Sequence, residues 1–190
     1  MLTNDLLRTK FAQALPYESY LGTAKPHEQA NWAAFHARAG LTPAQASLVA
    51  SFTRRINALC ISGAWCGDCV QQCPFLDHIA RANPACIDLR FLDRDEHSDF
   101  SSLLRICGGD RVPVLVLMNE DFDFVALAGD RTLSRYRAIA ARQLGPSCPL
   151  PGAPVPDDEL AATRQEWLDQ FERAHLLLRL SSKLRARHQD

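Results

Sequence analysis

The feature that most limits what this chain can fold into is a pair of cysteines, Cys66 and Cys69, directly after a short apolar run. Residues 58–62 read Ala-Leu-Cys-Ile-Ser, a buried strand, and residues 66–82 read as a helix containing Pro74. A strand that passes into a helix through Ala64-Trp65-Cys66-Gly67-Asp68-Cys69 puts Cys66 at the helix N-terminus. Unpaired N–H groups and the helix dipole favour a thiolate there. Cys69 lies one turn further on, within reach of a disulfide. Such a pair can attack a disulfide, form a mixed disulfide and resolve it. Zinc sites share the C-x-x-C spacing, so the pair alone leaves redox and metal chemistry both open.

The surrounding pattern adds order. Residues 86–92 read as a strand, 98–106 as a helix, 112–118 as a strongly apolar strand, 123–128 as a strand and 132–144 as a helix with a basic face. The order βαβαββα contains one βαβ unit, hence a parallel pair, and ends in a hairpin. Before it, residues 2–15 have apolar positions at helical spacing, stopped by Pro16. A second helix opens near Pro26, carries Trp32 and Phe35 as core residues, and ends near Gly40. Thr42-Pro43-Ala44-Gln45 is a capping-box start for a third, with Leu48, Val49, Phe52 and Ile56 on one face. Residues 145–156 hold five of the eleven prolines and read as a semi-rigid linker. From Asp157 a single long helix is expected to about Arg187, with acids at its start and basic residues at its end. Its apolar face needs a partner surface, on this domain or on a second copy of the chain.

Three separated motifs resemble the thioredoxin family. Trp65-Cys66-Gly67-Asp68-Cys69 is similar to the family's W-C-G-P-C. Pro74-Phe75-Leu76-Asp77-His78-Ile79-Ala80 is similar to its P-x-L-x-x-I-A run, and Arg111-Val112-Pro113-Val114-Leu115 to the segment bearing its cis-proline. The likeness spans about residues 55–144, Gly129 included. It is nearest a branch that reads W-C-G-D, has a segment like Arg94-Asp95-Glu96 and carries N-terminal helices. The resemblance implies an α/β fold, a thioredoxin-like three-layer α/β/α arrangement with a mixed central sheet. N-terminal helices (1–55) and a C-terminal helix (157–190) would flank the thioredoxin-like domain (56–144) and the linker. It also implies Cys66 as nucleophile, Cys69 as resolving thiol and Trp65 as their shield. A cis Pro113 would shape the groove and free the Val112 backbone to pair with substrate, with Gly67 and Asp68 completing the site. The implied function is a thiol–disulfide oxidoreductase working in the reducing direction with no bound cofactor. A protein or small disulfide would be its substrate, and a thioredoxin-reductase-like enzyme or a low-molecular-weight thiol its electron donor.

The chain departs from the family at three points. Asp68 stands where proline is usual; its carboxylate opposes a Cys66 thiolate by about one pKa unit and offers an acceptor to the helix N–H groups. Cys60 stands where a buried acid often assists the resolving cysteine. Arg111 brings charge and bulk beside the groove, which points to a narrower or more acidic substrate. Among the other cysteines, Cys73 lies four residues after Cys69 and reads as a small core residue or a third redox thiol. Cys66, Cys69 and Cys73 also resemble the last three ligands of a bacterial ferredoxin run, but Gly63 stands where the first cysteine belongs. Cys107 could approach the dithiol; Cys86 and Cys148 read as incidental. His36, His78 and His97 read as surface or capping residues, and Asp93, Asp95 and Glu96 as capping acids before a helix.

Composition narrows the classes further. A net charge of −1 gives no basic field for nucleic acid or an anionic membrane. No apolar run is long enough to span a bilayer, and residues 1–20 lack a signal peptide's apolar stretch, so the expected location is the cytoplasm. Seven irregularly spaced cysteines in 190 residues do not form a secreted disulfide framework. Two other readings stay open: a thioredoxin-fold binding module with an idle dithiol, and a metal or Fe–S protein using Cys66, Cys69 and Cys73. A homodimer through the terminal helices also stays open.

Overall fold

The computed structural model describes residues 2–144 and 158–189. The proline-rich segment and Cys148 lie outside the described residues. The chain runs through α1 (Asn4–Gln13), α2 (Tyr17–Gly22), α3 (Pro26–His36) and α4 (Pro43–Ala50) into β1 (Ile56–Ser62) and α5 (Gly67–Ala82). Then come β2 (Ile87–Asp93), α6 (Ser98–Ser101), a 3₁₀ turn (Ser102–Leu104), β3 (Val114–Met118), β4 (Phe124–Gly129), α7 (Leu133–Leu144), α8 (Glu159–Leu180) and α9 (Ser182–His188).

The four strands form one mixed sheet in the order β2-β1-β3-β4. β1 pairs parallel with β2, Cys60 opposite Phe91, and antiparallel with β3, Cys60 opposite Leu115. β3 and β4 close the antiparallel hairpin. β1 and β3 are buried along their whole length, as expected for central strands covered on both faces, while β4 is partly exposed at the edge. This is the three-layer thioredoxin-like α/β architecture expected from the sequence.

The N-terminal helices are built into the core. Trp32 is fully buried and packs against Tyr17 and Tyr20, which both contact Phe91 of β2. Leu15 bridges to Phe91 by paired backbone hydrogen bonds. That bridge explains why the first helix stops at Gln13, short of the expected residue 15, and why a second helix starts at Tyr17. Thr42 and Gln45 form the expected capping box, but α4 ends at Ala50, so Phe52 lies beyond it and Ile56 opens β1.

The C-terminal helix docks on its own chain. Trp167, Leu168, Phe171, Ala174 and Leu178 are buried in the common core. Glu166 accepts hydrogen bonds from the Leu133 and Ser134 amides at 2.6 and 2.8 Å, supplying the cap that α7 needs. His175 stacks on Phe52 at 4.5 Å. The expected single helix to Arg187 is instead two, because Ser181 adopts an extended conformation (ψ 107°) and its hydroxyl accepts from the Leu184 amide to start α9. The expected helix over 98–106 is shorter for a similar reason. Ile106 pairs with Gly109 around a turn in which Cys107 has φ +52°, which ends helical geometry. No helix among the described residues is long and apolar enough to cross a membrane.

Candidate functional site

Cys66 is the N-cap residue of α5, half-buried, with extended backbone (φ −84°, ψ 121°). The loop before it is anchored from behind: the indole N–H of Trp32 donates to the Ala64 carbonyl at 2.8 Å. Trp65 is half exposed, and the Arg94 guanidinium lies over its ring at 4.5 Å. The sequence pattern singled out Arg94 without giving it this role. Cys69, one turn into α5, is fully buried.

Each thiol influences the other's ionisation, and both are pushed above the ordinary cysteine range. For Cys66 the contact with Cys69 is the larger cause and burial the second, opposed by the backbone N–H groups of Cys69 and Asp68. For Cys69 the main cause is burial. The pair therefore holds at most one negative charge, and Cys66 faces both the donors and the solvent.

The opposite wall comes from the loop before β3. The Val112–Pro113 peptide is cis, as the resemblance implies. The Cys66 thiol points at the Val112 carbonyl, Sγ to O 3.8 Å. Behind this loop lies Gly129, with φ +140°, where an added Cβ would sit 2.4 Å from the Pro113 carbonyl oxygen. Only glycine lets β4 approach Pro113 so closely. The Gly129–Asp130 peptide is also cis. The Asp130 carboxylate takes hydrogen bonds from the Tyr136 hydroxyl and, at 3.2 Å, from Arg111. The positive charge expected from Arg111 beside the groove is thus offset by a buried carboxylate. Gln72, fully buried on α5, donates to the Asp130 carbonyl at 3.0 Å and accepts from the Thr132 amide at 3.2 Å. This amide locks α5 to the loop behind Pro113, and no motif in the sequence marks it.

Asp68 behaves differently from the expectation. Its carboxylate turns away from the helix N–H groups and is clamped by two cations of the following helix region. Arg135 Nε donates to Oδ1 at 2.7 Å and Arg131 Nε to Oδ2 at 2.8 Å. Burial opposes its ionisation, but these hydrogen bonds outweigh it and hold the carboxyl below the usual range. Its charge near Cys66 is therefore neutralised locally. The clamp's contribution to stability is complete above the unfolded carboxyl pKa of about 3.9 and fades as pH falls through the lowered folded value. Replacing Asp68 by Asn should remove the carboxylate that Arg131 and Arg135 share beside the dithiol and lower the first thiol pKa by about one unit. Arg131→Ala should move it the other way. Thiolate absorbance followed against pH reads both shifts.

A cavity of about 400 Å³ opens beside Cys66, lined by Trp65, Asp68, Gln71, Arg131 and Arg135. A larger one of about 800 Å³ adjoins it on the far side of Trp65, between α3, α5 and α8. Of the remaining expected residues, Cys73 is fully buried beneath Cys69, and Cys107 is exposed in its turn. Asp93 caps its own turn, accepting from the Asp95 and Glu96 amides. His36 and His78 were expected at the surface or as caps. His78 does cap, bonding the His36 carbonyl at the end of α3 at 3.0 Å; the two rings also stack at 4.0 Å, with His36 bonded to Asp77 at 2.8 Å. Among the described residues, no group of three or more His, Cys, Asp or Glu side chains is placed to hold a metal ion.

The sheet order, the dithiol opening α5 and the cis peptide facing it define a thioredoxin-like protein. A family model described as Thioredoxin matches residues 14–134, and the chain belongs to the thioredoxin family. The fold is similar to that of a protein of unknown function from Pseudomonas aeruginosa. That match has 22% identity and a TM-score of 0.68, covering 92% of this chain and 99% of that one. It is also similar to an HIV epitope scaffold at 20% identity and a TM-score of 0.64, covering 86% and 95%. No curated protein matches the chain.

Proposed function

We propose that the protein is a thiol–disulfide oxidoreductase working in the reducing direction. The observation that carries this reading is the placing of Cys66. It is a half-buried thiol at the start of α5, three residues before the buried Cys69, with its Sγ 3.8 Å from the Val112 carbonyl oxygen and a cavity opening beside it. Cys66, as thiolate, attacks one sulfur of a substrate disulfide. The other substrate sulfur leaves as a thiol, and Cys66 is held in a mixed disulfide. Cys69 then attacks Cys66 Sγ, the second substrate thiol leaves, and the chain keeps a Cys66–Cys69 disulfide. Electrons to restore the dithiol come from an external reductase or a small thiol. Trp65 lines the cavity beside Cys66, and an extended substrate strand would pair with the Val112 backbone on displacing the Cys66 contact to its carbonyl.

The raised thiol pKa values fit a stable reduced form and a potential nearer about −270 mV than the about −120 mV of a strong oxidant. The test is the reduction of a disulfide-linked protein by dithiothreitol with and without the chain. The rate should rise in proportion to added protein; a rate equal to that of dithiothreitol alone would contradict the proposal.

A further inference from the structure

The reaction above uses two thiols, yet the dithiol continues inward. Cys73 follows Cys69 by one helical turn on the same face of α5, and both are fully buried. On its other side, Cys73 Sγ lies 3.8 Å from Cys60 Sγ on β1 and 3.8 Å from the Ser62 hydroxyl. Cys60, Cys69 and Cys73 are all fully buried, whereas Cys66 reaches the cleft. The spacing of Cys66, Cys69 and Cys73 along α5, and the contact of Cys73 with Cys60, thus order four cysteines, 66–69–73–60, from the helix start to the central strand. A disulfide bond of about 2.05 Å between Cys60 and Cys73 needs roughly 2 Å of closing motion.

Resting on the thiol–disulfide reading above, we infer that Cys60 and Cys73 form a second, internal dithiol that takes over the disulfide made at Cys66 and Cys69. Once Cys66–Cys69 has formed, Cys73 attacks Cys69 Sγ. The Cys69–Cys73 bond forms, the Cys66–Cys69 bond breaks, and Cys66 takes up a proton as Cys73 loses one. Cys60 then attacks Cys73 Sγ. The Cys60–Cys73 bond forms, the Cys69–Cys73 bond breaks, and Cys69 takes up the proton that Cys60 loses. Two electrons have moved outward, and the surface dithiol is reduced again without an external donor. One reduced chain can therefore reduce two substrate disulfides before it needs re-reduction. Burial holds both inner thiols protonated, so the transfer is slower than the surface reaction and is read from its products.

The test treats fully reduced protein with excess oxidised glutathione, which reaches the cleft but not the core. Released glutathione is counted and the products are mapped by peptide mass. Chymotryptic cleavage after Trp65 and a second cut before Asp68 separate Cys60 and Cys66 from the piece holding Cys69 and Cys73. Counted as glutathione released in excess of that retained on the protein as mixed disulfide, wild type should release about four per chain and yield a Cys60–Cys73 link. Cys60→Ala should release about two and keep only Cys66–Cys69. Cys69→Ser should stop at glutathionylated Cys66 with Cys60 and Cys73 free. Release of two by wild type, with Cys66–Cys69 formed and the inner thiols alkylated, overturns the relay and leaves the surface reaction standing. No release at all overturns the surface reaction, and the relay with it. A Cys60–Cys73 link that forms equally in Cys69→Ser overturns the route through Cys69.

Discussion

Replacing Cys66 by serine should reduce the rate of disulfide reduction to that of the donor alone, since a hydroxyl cannot stand in for the attacking thiolate. Replacing Cys69 should give a different defect. Cys69→Ser keeps the nucleophile, so the first exchange proceeds and the chain stalls as a mixed disulfide with its substrate. The two variants are thus distinguished by product as well as by rate. Cys66→Ser should yield no covalent adduct on a non-reducing gel, and Cys69→Ser a stable one that dithiothreitol releases. Equal turnover by Cys66→Ser and wild type would mean that the dithiol is idle and that the cleft only binds.

The second large effect concerns the C-terminal helix. Trp167 is 2% exposed and belongs to the same core as the sheet and α5. Trp167→Ala should cost about 3–5 kcal/mol of folding stability through lost burial and the cavity left behind. In urea this reads as a lower midpoint at nearly unchanged slope. It should also disturb the site at a distance. α8 supplies the Glu166 cap of α7 and the Glu159 partner of Arg135, 3.3 Å away, and Arg135 is one of the two clamps on Asp68. A midpoint within error of wild type would show that α8 is not part of the cooperative unit.

Much of the fold was legible because the motifs carry strong local signals. The apolar run before Cys66 and the Thr42–Gln45 capping box each dictate geometry over a few residues, and each lies where the sequence placed it; the cis bond before Pro113 was implied by the family resemblance and is present. What was not legible depends on residues far apart in the chain. Nothing local to Asp68 foretells that Arg131 and Arg135, more than sixty positions away, neutralise it. A helix-capping role is the natural reading of an acid in a first turn, and tertiary ion pairing displaced it. Gln72 is a plain polar residue in the sequence and a buried tie between α5 and Asp130 in the fold. Ser181 breaks the last helix because its hydroxyl competes for the next turn's amide, a choice the apolar periodicity of α8 conceals. Cys73 could be placed beneath Cys69 by helical spacing alone. Its contact with Cys60 required the register of β1 against α5.

The account rests on Cys66 and Cys69 exchanging electrons as a pair, and the most direct measurement is thiol trapping across a glutathione redox series. At each poise the protein is quenched, alkylated and mapped by peptide mass. The predicted result is that Cys66 and Cys69 convert together as one two-electron couple near about −270 mV. Cys66 and Cys69 remaining alkylated across the whole series, or converting independently of one another, would contradict it.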